Sequence, residues 1–136
     1  MMSYLTINQA CEHQEGYNEV FRQRTKQLAL DILKLYKAYC LSDDSKLLGR
    51  QLIRSATSVA ANYRASIRAR SSAEKFSKLC IVVEEADETV FWLELLNESA
   101  LIKTQAVNPI LTEATEILKV MSSYRNTIKN TLRMNP

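Results

Sequence analysis

Between Arg54 and Ser72 the chain reads RSATSVAANYRASIRARSS, with hydroxyls and an amide crowded first, arginines second, and no acid. Ser55, Thr57, Ser58 and Asn62 are types from which a nucleophile or an oxyanion-stabilising group is made. A hydroxyl nucleophile needs a base, and the one histidine is His13, beside Cys11 in a stretch without periodicity. No triad is expected. Small polar residues in helices usually bond back to a carbonyl or fill a tight packing site, and these are read that way. A second cluster is acidic: from Leu79 to Leu101 the chain has Glu84, Glu85, Asp87, Glu88, Glu94 and Glu98 and no base. A di-iron bundle would pair Glu-x-x-His motifs on facing helices. With no His in a helical segment, ion pairing accounts for these acids better than metal does. Phosphate loops need glycines, and only Gly16 and Gly49 are present. The sequence assigns no catalytic residue, no metal ligand and no cofactor.

The arginines need elements to position them. Tyr17, Phe21, Leu28, Ile32, Leu35 and Tyr39 recur at helical steps and predict a first helix over about 17–40, which LSDDSK ends. Leu48, Leu52, Ala56, Val59, Tyr63 and Ile67 predict a second, stopping near Arg70. Ser71 and Glu74 have capping-box spacing, and Phe76, Leu79, Val83, Ala86, Val90 and Leu93 carry a third helix to about Leu101. Lys103–Val107 reads as a loop, and Asn108 with Pro109 as the start of a fourth helix carrying Ile110, Ala114, Ile117, Met121, Tyr124 and Ile128. Short connections force antiparallel neighbours, so the expected fold is all-α, an up-down-up-down four-helix bundle over 16–133. Leu52, Val59, Val83, Val90, Ile117 and Met121 are expected in its core. Residues 1–15 read as a loose tail or short extended arm.

Composition agrees. Two Gly and two Pro leave little turn punctuation for strands, and 46% apolar residues suit one soluble domain. No apolar run approaches the ~20 residues of a membrane span, so the cytoplasm is the expected compartment. Cys11, Cys40 and Cys80, odd in number and far apart, read as reduced thiols, the latter two packing as small hydrophobes. The net charge of +3 decides nothing by itself.

Its distribution says more. From Lys46 to Arg70 there are six bases and no acid. At 100° per residue, Arg50, Arg54, Thr57, Ala61, Arg64 and Arg68 share the face opposite the apolar one, a basic stripe with a small-residue gap. The third helix shows a second row opposite its core stripe: Ile81, Glu84, Glu88, Trp92 and Leu95. Phe91 and Trp92 are adjacent and point about 100° apart, so this row is expected to pack on another chain. The assigned assembly surface is therefore Arg50, Arg54, Thr57 and Ala61 against Ile81, Glu84, Glu88, Trp92 and Leu95. Glu84 and Glu88 are expected to meet Arg50 or Arg54 across the subunit seam. Arg64, Arg68 and Arg70, beyond the gap, are assigned to an exposed anion-binding rim. No aromatic stacking platform accompanies the stripe, so base-specific recognition is not expected.

QLIRSATSVAANYRAS followed by SSAEKFSKLCIVVEEADETVFWLELL is similar to the signature of the four-helix-bundle proteins encoded by intervening sequences in bacterial 23S ribosomal RNA genes. The resemblance covers about residues 17–130. Two departures, Ala60 where many members have Gly and Ala65-Ser66 where many have Glu-Ala, remove an acid and make the second helix more basic. The resemblance implies a ring-like homo-oligomer, a pentamer. It also implies kinship with the accessory variability proteins of diversity-generating retroelements, basic pentamers associated with reverse transcriptase and nucleic acid. Two functions stay open: an accessory factor that binds RNA or DNA, and a structural oligomer whose partner is a protein. The number of arginines left unpaired discriminates between them.

Overall fold

The computed structural model describes residues 7–134, with side chains from Gln14 onward. Four helices follow one another: α1 (Ile7–Tyr39), α2 (Asp43–Ile67), α3 (Ser72–Glu98) and α4 (Thr104–Met134). Each packs on the next and α1 closes on α4, as in an antiparallel bundle. None of them is long and apolar enough to cross a membrane among the described residues. One core runs through all four, with Leu28, Ile32, Leu52, Val59, Tyr63, Leu79, Leu93 and Ile117 fully enclosed.

Local chemistry fixes the helix ends. Ser42 and Ser45 satisfy each other's backbone N–H groups, both at 3.1 Å, and Asp43 and Asp44 complement the α2 dipole. The Ser71 hydroxyl accepts from the Glu74 N–H at 3.1 Å, as its spacing predicts. The Glu74 carboxylate, however, accepts from Arg70 N–H rather than from Ser71. Cys40 is buried, and burial pushes its thiol pKa up; Cys80 is half-buried.

Several expectations shift. Helix α1 begins at Ile7, so residues 7–15 continue the first helix instead of forming an extended arm; residues 1–6 lie outside the described residues, as do the side chains of Cys11 and His13. Helix α4 starts at Thr104, with Pro109 inside it. Val107 and Ile102 are buried, and that burial draws the expected loop onto the core as helix despite the hydrogen bond Pro109 removes. Val83 is only half-buried, and Val82 takes the core position. Tyr39 is exposed.

Candidate nucleic-acid interface

The antiparallel fold gathers charge that the sequence scatters. Gln14 Nε2 reaches the Tyr124 hydroxyl at 3.0 Å, Phe21 and Tyr63 rings lie 6.4 Å apart, and Lys75 Nζ stands 5.1 Å above the Tyr124 ring. These contacts place the start of α1, the end of α2, the start of α3 and the end of α4 at one end of the bundle. Within residues 14–134, the segments there, 14–23, 60–81 and 119–134, carry ten Lys or Arg against three acids, and the other segments, 24–59 and 82–118, carry eight against eleven. The bundle is therefore polarised along its axis.

Arg64, Arg68 and Arg70 belong to the cationic end and are all exposed. The expected helical stripe is shorter than assigned, because α2 stops at Ile67; Arg68 caps it and Arg70 stands in the connection to α3. Helix α4 adds Lys119, Arg125, Lys129 and Arg133, and α3 adds Lys75 and Lys78. Sequence reasoning missed these six. Summing charge by bundle end rather than by segment would have found them. Cations near the C-termini of α2 and α4 are favoured by the helix dipoles, but Lys75 and Lys78 lie close to the N-terminus of α3, where that field opposes them. Helix electrostatics alone does not account for the cluster.

Among the described residues, ion pairs engage Arg22 with Glu19, Arg24 with Glu113 and Glu116, and Arg54 with Glu85 and Glu88. Within that set Arg64, Arg68 and Arg70 have no acid at ion-pairing distance. The Glu19 carboxyl is held down at about 2 by hydrogen bonds from Arg22 and Gln23.

The seam assigned to a second chain is altered. Arg54 meets Glu88 at 2.8 Å and Glu85 at 3.2 Å within one chain, so the expected pairing joins α2 to α3 internally. Beside it, the Thr89 hydroxyl donates to Ser55 Oγ at 2.9 Å, a buried link between the same helices. Trp92 is half-buried against the core, because α3 packs on both α2 and α4 and needs a wide apolar face; Phe91, 51% exposed, is the ring that faces solvent. The two rings nonetheless touch, with centroids 4.9 Å apart. Ile81 and Leu95 are half-buried, while Glu84, Arg50, Thr57 and Ala61 are exposed. Thr57 bonds back to the Ile53 carbonyl at 2.8 Å and Asn62 to the Ser58 carbonyl at 2.9 Å, the back-bonding that small polar residues in helices usually make. Thr57, Ala60 and Ala61 floor a groove of about 280 Å³ between α1 and α2, rimmed by Arg22, Lys26 and Arg64.

No ring lines the groove beside the α2 stripe, but aromatic residues of α1 and α4 stand at the same end of the bundle. Tyr17 and Tyr124 meet edge to face at 5.2 Å, and Tyr17 lies 4.8 Å from Phe21. The Tyr17 hydroxyl is pushed up to about 12, mainly by burial and also by Tyr124, against the opposing influence of Arg24. Tyr63, fully enclosed, is raised as well by burial. No three His, Cys, Asp or Glu side chains converge as a metal ion requires among the described residues.

Residues 18–123 match the family model described as 23S rRNA-intervening sequence protein. A crystal structure of a protein of unknown function from the S23 ribosomal protein family of Bacteroides thetaiotaomicron is similar, with TM-score 0.73 and 33% identity, over 80% of this chain and 97% of that one. No curated protein matches at a significant level. With the four-helix fold and the matched span together, the chain belongs to the 23S rRNA-intervening sequence protein family.

Proposed function

We propose that the protein is a non-enzymatic, cytoplasmic helical bundle that assembles with copies of itself as a ring-like pentamer and binds RNA or DNA through its cationic end. The observation that carries this reading is the convergence of α2, α3 and α4 cations at one end, with Arg64, Arg68 and Arg70 exposed and unpaired among the described residues. Unpaired guanidinium groups neutralise phosphate and release its counterions, a driving force that is independent of sequence and grows with the number of phosphates engaged. Repetition of the cationic end around an oligomer multiplies that number. Self-assembly is supported by exposed Phe91, set in the acidic face of α3 with Glu84, Asp87 and Glu94, and by the basic, small-floored groove between α1 and α2. Such unlike faces are suited to the head-to-tail association that closes rings.

Replacing Arg64, Arg68 and Arg70 together with Gln should leave the oligomer intact in light scattering. It should reduce the salt slope of RNA or DNA binding by roughly one unit for each phosphate no longer neutralised, about three in all. A wild type with no salt-sensitive binding would end this reading. The structural oligomer with a protein partner would then stand in its place, favoured by exposed Phe91 and Leu47.

A further inference from the structure

We propose that the groove between α1 and α4 at the cationic end is a base-stacking pocket that makes the protein's ligand single-stranded rather than duplex nucleic acid. This inference rests on the polyanion reading above and names the ligand class within it. The groove has a volume of about 550 Å³, and Tyr17 and Gln14 of α1 face Val120, Ser123, Tyr124 and Lys119 of α4. Two aromatic rings and an aliphatic side chain supply apolar surface for a planar base. Amide, hydroxyl and ammonium groups supply hydrogen-bonding partners for its edge and a counter-charge for its phosphate.

The groove opens where burial along the α1–α4 seam falls off. Among the described side chains, Phe21 and Met121 are the last buried ones on α1 and α4 in this direction; beyond them Tyr17, Tyr124 and Ile128 are only half-buried. The rings are held in place despite the opening. Gln14 donates to the Tyr124 hydroxyl at 3.0 Å, Tyr17 leans on Phe21, and Lys75 stands over the Tyr124 ring. A base entering the groove would meet the Tyr124 ring, over which Lys75 stands, and Lys119 on the groove wall. The Tyr17 hydroxyl stays neutral far above physiological pH, so it adds no negative charge to the groove.

The competing groove between α1 and α2 is also basic, but Ala29, Thr57, Ala60 and Ala61 give it no ring to stack on. It offers charge alone. Bases in a duplex are already stacked and paired, whereas a single strand can splay one out onto an aromatic side chain. Charge on the rim together with rings in the groove therefore favours the single strand.

The test compares two labelled strands of about twelve nucleotides, within the usual range of single-strand site sizes. One is oligothymidine and the other has the same sugar-phosphate backbone without bases. Wild-type protein should bind the strand with bases about tenfold more tightly or better, with the same salt slope, and should bind a duplex of equal charge less tightly than the single strand. Tyr124→Leu should abolish the excess while leaving affinity for the abasic strand unchanged. Equal affinity for the two single strands overturns the pocket but leaves the polyanion reading intact. Absence of salt-sensitive binding to either overturns both. Independently of any variant, photocrosslinking of 4-thiothymidine strands to the wild type should map to peptides carrying Tyr17 or Tyr124. Crosslinks confined to Arg64–Arg70 would overturn the assignment.

Discussion

The α1–α2 and α3–α4 connections lie at one end of the bundle, while the other end has the α2–α3 connection, the start of α1 and the end of α4. Packing follows from this difference. At the doubly connected end Cys40, Ser45, Gly49, Leu96, Ile102 and Val107 are all buried. At the singly connected end α4 buries no residue after Met121. Charge is divided along the same axis, since the open end is cationic and segments 24–59 and 82–118 have an excess of acids. Concentrated like charge raises the energy of the compact state, and Arg125, Lys129 and Arg133 stand on the turns where α4 buries nothing, although α2 and α3 still bury Tyr63, Ser66 and Leu79 at this end. The burial of α4 and the candidate site thus lie toward opposite ends of one bundle.

Matched core truncations should show the largest contrast. Leu96→Ala removes a side chain that is 0% exposed at the closed end and should cost about 2–5 kcal/mol. Ile128→Ala removes a half-buried side chain at the open end, where water already reaches it, and should cost about 1 kcal/mol or less. Denaturant unfolding measures both. Equal costs would mean that the core extends through the open end, and the division would be wrong.

The two glycines sharpen the contrast because their substitutions should have opposite signs. A Cβ on Gly49 would lie 2.6 Å from Tyr36 Cδ2 and 2.9 Å from Cys40 Sγ, so the glycine is what lets α1 approach α2 there. Gly49→Ala should destabilise by about 1–3 kcal/mol through overpacking. Gly16, also helical, has nothing within 4 Å of an added Cβ. Gly16→Ala should therefore stabilise by about 0.5–1 kcal/mol through helix propensity. Thermal melts of the two variants that move in the same direction would contradict the assigned packing.

Alkaline pH should act on the open end first. Tyr17 ionises near pH 12 because burial and Tyr124 disfavour the phenolate. A folded-state value above the ordinary tyrosine value of 10.0 means that the folded form holds its proton longer. The stabilisation is complete below about pH 10 and is lost as pH rises toward 12. A phenolate absorbance titration should show a late component that shrinks in Tyr17→Phe. A titration with no late component would show that the Tyr17 environment is as wet as bulk water.

The elements are legible in the sequence because apolar residues at helical spacing and a Ser-x-x-Glu cap are local signals. Leu52, Val59, Val90, Ile117 and Met121 lie in the core as their spacing predicts. The start of α4 is not legible, since Asn108-Pro109 is a strong local signal that burial of Val107 overrides. Arg54 and Glu88 are complementary in the sequence, but nothing in a sequence says whether such partners meet within a chain or between chains. The candidate site is legible only in part. Its α2 arginines lie close together in the chain, whereas Lys75, Arg125 and the Tyr17–Tyr124 pair come to one end only when antiparallel helices are set side by side.

The smallest predicted effect belongs to the closed end and concerns how α3 stops. Ser99 caps the helix, its N–H donating to the Leu95 carbonyl at 3.0 Å, and Ala100 follows with φ of 57°, donating to Asn97 at 3.1 Å. Glycine is the usual residue in this left-handed position, because a Cβ there crowds the following carbonyl. Ala100→Gly removes that strain, while glycine's greater freedom in the unfolded chain offsets part of the gain. The expected net result is a stabilisation of about 0.5 kcal/mol, with the α3–α4 connection and the burial of Ile102 unchanged. If the variant melts lower than the wild type, the Ala100 methyl is packed in a way that matters more than its backbone strain. The closed end would then be packed out to its last turn.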